Sequence, residues 1–243
     1  MNEGWANLRL CVRQLKRIGR LATGRDALYR YDARPRKLRL GTVYGGWTIA
    51  PHSLGPRSII CSFGVGNDIS FDLEAIEKFG LTVHGFDPSP EAVHWVSQQV
   101  DLPAGYVFHA YGLGKEDGNV VFSAPDSGGM YSSSESHMYA ANKKISLPVR
   151  TLATVIHSVS TGFIDVLKLD IEGAEYDLID DIIAHRSSVG QLLIEFHHRI
   201  GVAPLSETVR SVDRLREAGF ALFHVSSTSS EFSFLRQPDA NVV

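Results

Sequence analysis

Three carboxylates within six residues, Asp170, Glu172 and Glu175, close the segment Asp165-Val-Leu-Lys-Leu-Asp-Ile-Glu-Gly-Ala-Glu175. Such a group can accept a proton, receive hydrogen bonds from hydroxyls, or ligate a cation. Crowding three acids costs stability through mutual repulsion, so a purely structural turn explains them poorly. A second set follows in Glu195-Phe-His-His198. At a strand end, Glu195 and His197 share one face while Phe196 and His198 point the other way. Two chemistries stay open. In one, Asp170, Glu195 and His197 hold a divalent ion that orients substrate hydroxyls, since carboxylates and imidazole suit several metals. In the other, no metal is needed and His197 is a direct base. A general base contributes about 10²–10⁴-fold when the nucleophile is a poorly acidic hydroxyl. The metal-free reading is preferred, with Asp170, Glu172 and His197 as the catalytic residues.

These side chains need a scaffold. The apolar run from Val166 to Leu169 reads as a buried parallel strand that ends at Asp170, the edge where open α/β sheets bind ligands. Ile59 to Phe63 reads as another strand, followed by Gly64 and Gly66, which permit a tight turn and close approach of a ligand. A helix is expected over 71–79. The strand from Leu81 to Phe86 ends in Asp87, about 20 residues past the glycines, the spacing at which a carboxylate reaches ribose hydroxyls. A dinucleotide fingerprint wants a third Gly or Ala where this chain has Ile69, which counts against NAD. S-adenosylmethionine has no pyrophosphate and needs no such residue. Asn67 and Asp68 then suit a cationic sulfonium or ammonium group.

The remaining pattern alternates strands with helices. Ser89 caps a helix that has Pro90 at its first position and runs to about Val100. Strands are expected over 106–110, 120–122, 146–149, 165–169 and 191–196, with helices over 151–158 and 174–185. The second of these helices carries Leu178, Ile179, Ile182 and Ile183 on one face. Ser206 caps a helix that ends near Gly219, and 221–225 with 232–235 form a terminal antiparallel pair. This order predicts an α/β fold: a doubly wound, mostly parallel sheet over residues 57–243 with a C-terminal antiparallel strand pair. A Ser/Gly-rich insertion near 123–147, containing His137, suits a substrate lid. Residues 1–56 form a basic arm and lead-in. Within it, Trp5, Leu8, Val12, Leu15, Ile18 and Leu21 mark an amphipathic helix. Residues 44–49 suit a hairpin or a flap over the cofactor.

The chain has 243 residues and a formal net charge of −3. That near-neutrality hides an asymmetry, because basic residues from Arg9 to Arg39 crowd the first segment beside only Glu3, Asp26 and Asp32. A basic arm can meet a membrane surface, nucleic acid, an anionic substrate, a second subunit, or the acidic remainder of its own chain. Cys11 and Cys61 are the cysteines, too few for a disulfide framework, so a reducing cytoplasm is the expected compartment. No apolar run reaches the length of a membrane span, and charges interrupt the N-terminal apolar residues, unlike a signal peptide.

Four segments in order carry a resemblance. They are Ser62-Phe-Gly-Val-Gly-Asn-Asp68, Gly85-Phe-Asp-Pro-Ser-Pro90, Tyr111-Gly-Leu-Gly114 with Asp117-Gly118, and Leu167-Lys-Leu-Asp-Ile-Glu-Gly-Ala-Glu175. Together they resemble the ordered motifs of FkbM-type S-adenosylmethionine-dependent methyltransferases. They also resemble a related methyltransferase-like group with a Ser-Phe-Gly-x-Gly first motif. The resemblance covers roughly residues 57–198. It implies a class I methyltransferase fold and O-methylation of a hydroxyl on a small metabolite, sugar or natural product, with S-adenosylhomocysteine as product. It implies cofactor contacts from Phe63, Gly64, Gly66, Asn67, Asp68, Asp87, Pro88, Tyr111, Gly112 and Asp170. Many members carry an acid before the first glycine; here Ser62 and Phe63 stand there, leaving Asn67 or Asp68 for the methionine end. The rival readings are an NAD-dependent oxidoreductase and a non-catalytic cofactor-binding scaffold. A nucleic-acid substrate is not expected, because no Asn-Pro-Pro-aromatic segment is present to hold a flipped base.

Overall fold

The computed structural model describes residues 17–124, 143–159, 162–200 and 202–238. Most of the expected N-terminal amphipathic stripe (Trp5, Leu8, Val12 and Leu15), Cys11, His137 and most of the expected lid lie outside the described residues. After a helical segment at 17–22 (α1), the chain forms a hairpin of β1 (Leu38–Leu40) and β2 (Trp47–Ile49). The core alternation follows: β3 (Ile59–Phe63), α2 (Ser70–Phe79), β4 (Thr82–Phe86), α3 (Pro90–Ser97) and β5 (Tyr106–His109). Next come β6 (Gly112–Leu113), β7 (Gly118–Ala124), β8 (Lys143–Arg150), α4 (Leu152–Ser158), β9 (Ile164–Leu169) and α5 (Glu175–Ala184). The chain ends with β10 (Val189–Glu195), α6 (Leu205–Glu217), β11 (Phe220–Val225) and β12 (Glu231–Arg236).

Seven strands make one sheet in the order β11-β12-β10-β9-β3-β4-β5. The five from β10 to β5 run parallel, and β12 is antiparallel to both its neighbours. This is the expected doubly wound α/β architecture with its terminal antiparallel pair. All five residues of β3 are buried, the signature of a parallel strand covered on both faces. On one face, Phe63, Phe86, Leu167 and Ile194 pack with residues of α4, α5 and α6 such as Val155, Ile179 and Val212. On the other, Ile60, Val83, Val166 and Leu193 pack with Phe71 and Ala75 of α2 and Val96 of α3. Leu40, Trp47 and Ile49 of the hairpin join that second layer, so the lead-in builds core.

One buried and one exposed polar tie lock the lead-in to the sheet. Gln191 on β10 is 1 % exposed, accepts from the Ala50 N–H at 2.9 Å and donates to its carbonyl at 2.8 Å. The Asp32 carboxylate pairs with Arg216 at 2.8 Å and accepts from the Leu222 N–H. This tie joins an acid of the lead-in to a base of the C-terminal half, the reverse of the polarity that the basic arm suggests. Among the described residues, no helix is long and apolar enough to cross a membrane.

Two of these helix starts follow the simple capping rule and one departs from it. Ser89 caps α3 through its hydroxyl, and Thr151 caps α4 in the same way. Ser206 does not cap α6: Pro204 occupies the cap position and Ser206 sits inside the first turn. The fixed φ of proline sets the chain direction there without a side-chain bond.

The sheet order reverses between β3 and β9. Successive crossovers run from β3 toward β5 on one side and from β9 toward β10 on the other. Phe63 and Leu169, the last residues of the two strands, are register partners. A crevice opens beyond such a switch point, and the candidate site lies there.

Candidate functional site

A cavity of about 1390 Å³ spans the carboxyl ends of β3, β4, β9 and β10. It is lined by Phe63, Gly64, Gly66, Asn67, Asp68, Asp87, Pro88, Gly112, Asp170, Glu172, Glu195 and His197. One expected cofactor residue is absent from that lining: Tyr111 tilts onto Phe86 and His109, with ring centroids 5.2 and 5.5 Å away. Its neighbours Gly112 and Leu113 face the cavity instead.

The first half of the site is made of backbone. Gly64 has φ +79° and donates to the Phe86 carbonyl at 3.0 Å. A Cβ there would lie 1.7 Å from the Asp170 carbonyl oxygen, so the two sequence motifs meet with no room for a side chain. Gly66 has φ +53° and donates its N–H to Asp87 Oδ2 at 2.9 Å. Asp87 Oδ1 accepts from the Ser89 N–H at 2.9 Å and from its hydroxyl at 2.6 Å. The acid read as a ribose ligand therefore also holds the glycine turn in shape. Asp68 is similarly engaged. It accepts from the Thr42 hydroxyl at 2.7 Å and the Ser70 N–H at 2.8 Å, tying the turn to the hairpin loop. Burial would raise its pKa, but bonds from Ser70, Thr42 and Gly45 outweigh burial and hold it below the usual carboxylate value.

Lys168 completes this half. Its ammonium donates to the carbonyls of Phe63 at 3.1 Å and Gly64 at 3.0 Å, and lies 5.4 Å from the Trp47 ring. Beneath it, burial pushes the fully enclosed Asp72 up to about 6, opposed by the Lys168 charge. Lys168 thus serves the turn as well as a buried acid.

The second half is made of charged side chains. After β9, Glu172 adopts φ +56° and Gly173 φ +103°. A left-handed non-glycine residue costs about 1–3 kcal/mol and persists only where its surroundings enforce it. The double reversal folds the three acids around His197. Glu175, 0 % exposed, accepts from His197 Nδ1 in a short bond and from the Gly173 N–H at 2.6 Å. His197 Nε2 lies 3.2 Å from Glu172 Oε2 and 3.8 Å from Asp170 Oδ1. Burial alone would lower the His197 pKa, but Glu175 and Glu172 outweigh it and push it up to about 12. An imidazolium cannot accept a proton, so this environment argues against His197 as a free base and for a clamp on the carboxylates around it.

The expected metal set is also altered. Donor atoms of Asp170, Glu172 and His197 lie within 4.8 Å of one another, and Glu195 is not in that group. Burial, then Asp170, push Glu195 up to about 8, with Ser230 and Glu231 beside it. Glu172 takes the place expected of Glu195 because the left-handed turn brings it back over His197. His198, on the far side, bonds to Thr208 at 3.1 Å and leaves the site.

Sequence reasoning missed several contributors. Glu175 was legible only as the third acid of the run. Arg199 and the 224–231 turn add cavity walls that no motif marked, while Tyr44, Trp47 and Thr48 line the cavity from the segment expected to form a hairpin or flap. His94 on α3 is exposed and also lines the cavity.

One comparison with known proteins identifies a family. The model of the methyltransferase FkbM domain matches residues 28–222. A human protein named "Probable methyltransferase-like protein 24" is 25% identical over 173 residues, covering 67% of this chain and 41% of its own. Its rat counterpart matches over the same shares. The chain therefore spans about two fifths of the length of these curated relatives. Among solved structures, a fibrillarin pre-rRNA processing protein from Methanococcus jannaschii superposes with a TM-score of 0.47 at 9% identity, over 88% of this chain and 87% of that one.

Proposed function

We propose, from the premise that the chain belongs to the methyltransferase FkbM domain family, that it transfers a methyl group from S-adenosylmethionine to a hydroxyl oxygen of a small metabolite, sugar or natural product. The observation that carries the reading is the continuity of one cavity from the Gly64–Gly66 turn and Asp87 to Asp170, Glu172 and His197. Such a cavity admits a cofactor at one end and an acceptor at the other.

When bound, the cofactor supplies an electrophilic methyl group on a cationic sulfur. The glycine turn gives it a surface free of side chains, and the carboxylates across the cavity favour its charge. Asp170 stands at the junction: its backbone carbonyl abuts Gly64 while its carboxylate lies 3.8 Å from His197. Asp170 and Glu172 can accept the hydrogen bond of an acceptor hydroxyl, align its oxygen for in-line attack, and take its proton as the new C–O bond forms. Alignment of this kind supplies a large share of such a rate. His197 holds the two carboxylates in place.

The test is calorimetric titration of the whole chain with S-adenosylmethionine, S-adenosylhomocysteine and NAD, followed by a labelled-methyl screen of hydroxylated metabolites. Saturable binding of S-adenosylhomocysteine, no binding of NAD and label recovered in an alkali-stable ether support the reading. Preference for NAD, or label transferred to nitrogen or carbon, overturns it.

A further inference from the structure

We infer that Asp170, Glu172 and His197 form a divalent-cation site of the Mn²⁺ class, with Glu175 as the residue that orients its histidine. The inference takes its use from the proposed methyl transfer, where the cation would bind acceptor oxygens; the site itself stands on geometry.

His197 is 8 % exposed and aims Nε2 into the cluster, while Nδ1 is taken by the fully buried Glu175. A metal-bound histidine ordinarily donates its second ring N–H to a carboxylate in just this manner, which fixes the tautomer and the ring plane. The two remaining donors, Glu172 Oε2 and Asp170 Oδ1, stand 3.2 and 3.8 Å from Nε2. Oxygen and nitrogen ligands each about 2.0–2.2 Å from one ion lie roughly 3–4 Å apart, so the cluster needs little movement to close on a cation.

Charge points the same way. The carboxylates of Asp170, Glu172 and Glu175 converge on a single imidazole ring. The nearby cation Lys168 is turned toward the carbonyls of Phe63 and Gly64. Two carboxylates and one imidazole form a hard-to-borderline ligand set that suits Mn²⁺ better than a thiophilic ion. Three protein ligands leave open positions toward the cavity. Those positions select an acceptor that offers two adjacent oxygens, such as a vicinal diol or an α-hydroxy carbonyl. Coordination of one hydroxyl would lower its pKa before methyl transfer.

The experiment titrates the chelator-stripped whole chain with Mn²⁺ by electron paramagnetic resonance, with Mg²⁺ and Zn²⁺ as competitors. One saturable Mn²⁺ per chain is expected. Asp170→Asn and Glu172→Gln should each weaken it at least tenfold, and Glu175→Gln about 10–100-fold, the usual range for a residue behind a ligand. Circular dichroism melting of each variant establishes that it is folded, and Glu172→Gln, at a partly exposed position, serves if the buried changes unfold the chain. Absence of saturable binding below about 1 mM, the weak end of biological divalent sites, overturns the inference, as does unchanged affinity in folded Asp170→Asn and Glu172→Gln. S-adenosylhomocysteine binding is measured in the same samples. Cofactor binding without Mn²⁺ sinks the cation site and leaves the methyl-transfer reading standing; Mn²⁺ binding without cofactor does the opposite.

Discussion

The two halves of the cavity use carboxylates in opposite ways. Around Gly64–Gly66, Asp87 and Asp68 are occupied by backbone N–H groups and hydroxyls of their own and neighbouring loops. They fix the shape of a turn. Around His197, Asp170, Glu172 and Glu175 converge on one ring, two of them facing the cavity. The first half is held by satisfied hydrogen bonds that join several loops. The second stores electrostatic tension, because three acids share one counter-charge in a partly buried place. A surface built from satisfied backbone suits recognition of a constant cofactor, while concentrated charge suits chemistry on the other reactant.

The largest expected effect breaks the second half. His197→Ala leaves Glu175 buried at 0 % exposure without its counter-charge, and removing one partner of a buried pair costs about 3–5 kcal/mol. Urea midpoints should register this loss. Adding Glu175→Leu removes the orphaned charge, and much of the stability should return. If turnover stays absent in the restabilised double variant, the cluster serves chemistry; if turnover returns with stability, it serves only the fold.

Next in size is Gly64→Ala, which strikes the point where the halves touch. The backbone there has φ +79° and the new methyl would overlap the Asp170 carbonyl. Left-handed strain of about 1–2 kcal/mol and overpacking of about 1–3 kcal/mol put the total at roughly 2–5 kcal/mol. Both S-adenosylhomocysteine affinity and turnover should fall together. A variant that keeps one and loses the other would show the halves to be mechanically independent.

Asp87→Ala separates them. It removes the acceptor for the Gly66 N–H and for Ser89. S-adenosylhomocysteine affinity should drop about tenfold, near 1.4 kcal/mol, while Mn²⁺ affinity at the other end stays unchanged. Equal losses at both ends would erase the distinction between a shape-fixing and a chemistry-bearing half.

Much of this contrast was legible in residue order. The apolar runs ending at Phe63, Phe86 and Leu169 predicted three parallel strands, and the structure places their ends side by side. The glycine turn and the acids at 170–175 were visible for the same reason: strand ends in an open sheet are punctuated by residues a core rejects. What stayed hidden depends on distant partners. Strand alternation places Lys168 and Asp170 on one face, but it does not announce the hydrogen bonds of Lys168 to carbonyls more than a hundred residues earlier. Which of the three acids would be buried turned on the left-handed conformation of Glu172, which nothing in a glutamate announces. Tyr111 looked like a cofactor contact because its motif did, yet aromatic packing on Phe86 and His109 drew it into the core side. The walls from Arg199 and the 224–231 turn carried no motif at all.

The smallest expected effect sharpens the comparison by probing one of those unmarked walls. His224 on β11 lines the cavity, and burial, then Lys37 and Arg39, hold its pKa down to about 4. Its unfolded value is 6.5. Because the folded chain holds the ring neutral, the unfolded state binds the proton more readily. Stability from this group is therefore complete above pH 6.5 and declines as pH falls toward 4, the reverse of a histidine that gains an acidic partner. The ring is partly exposed, so solvent screening reduces the effect to on the order of 1 kcal/mol between pH 7.5 and 5. His224→Gln should flatten that part of the profile in urea denaturation at the two pH values and leave the pH 7.5 midpoint nearly unchanged. His197 makes the opposite demand, since its acids favour the charged ring. If His224→Gln leaves the acid slope intact, the loss between pH 7.5 and 5 belongs to other titrating groups, and the wall opposite the acid cluster is not a place where the fold excludes charge.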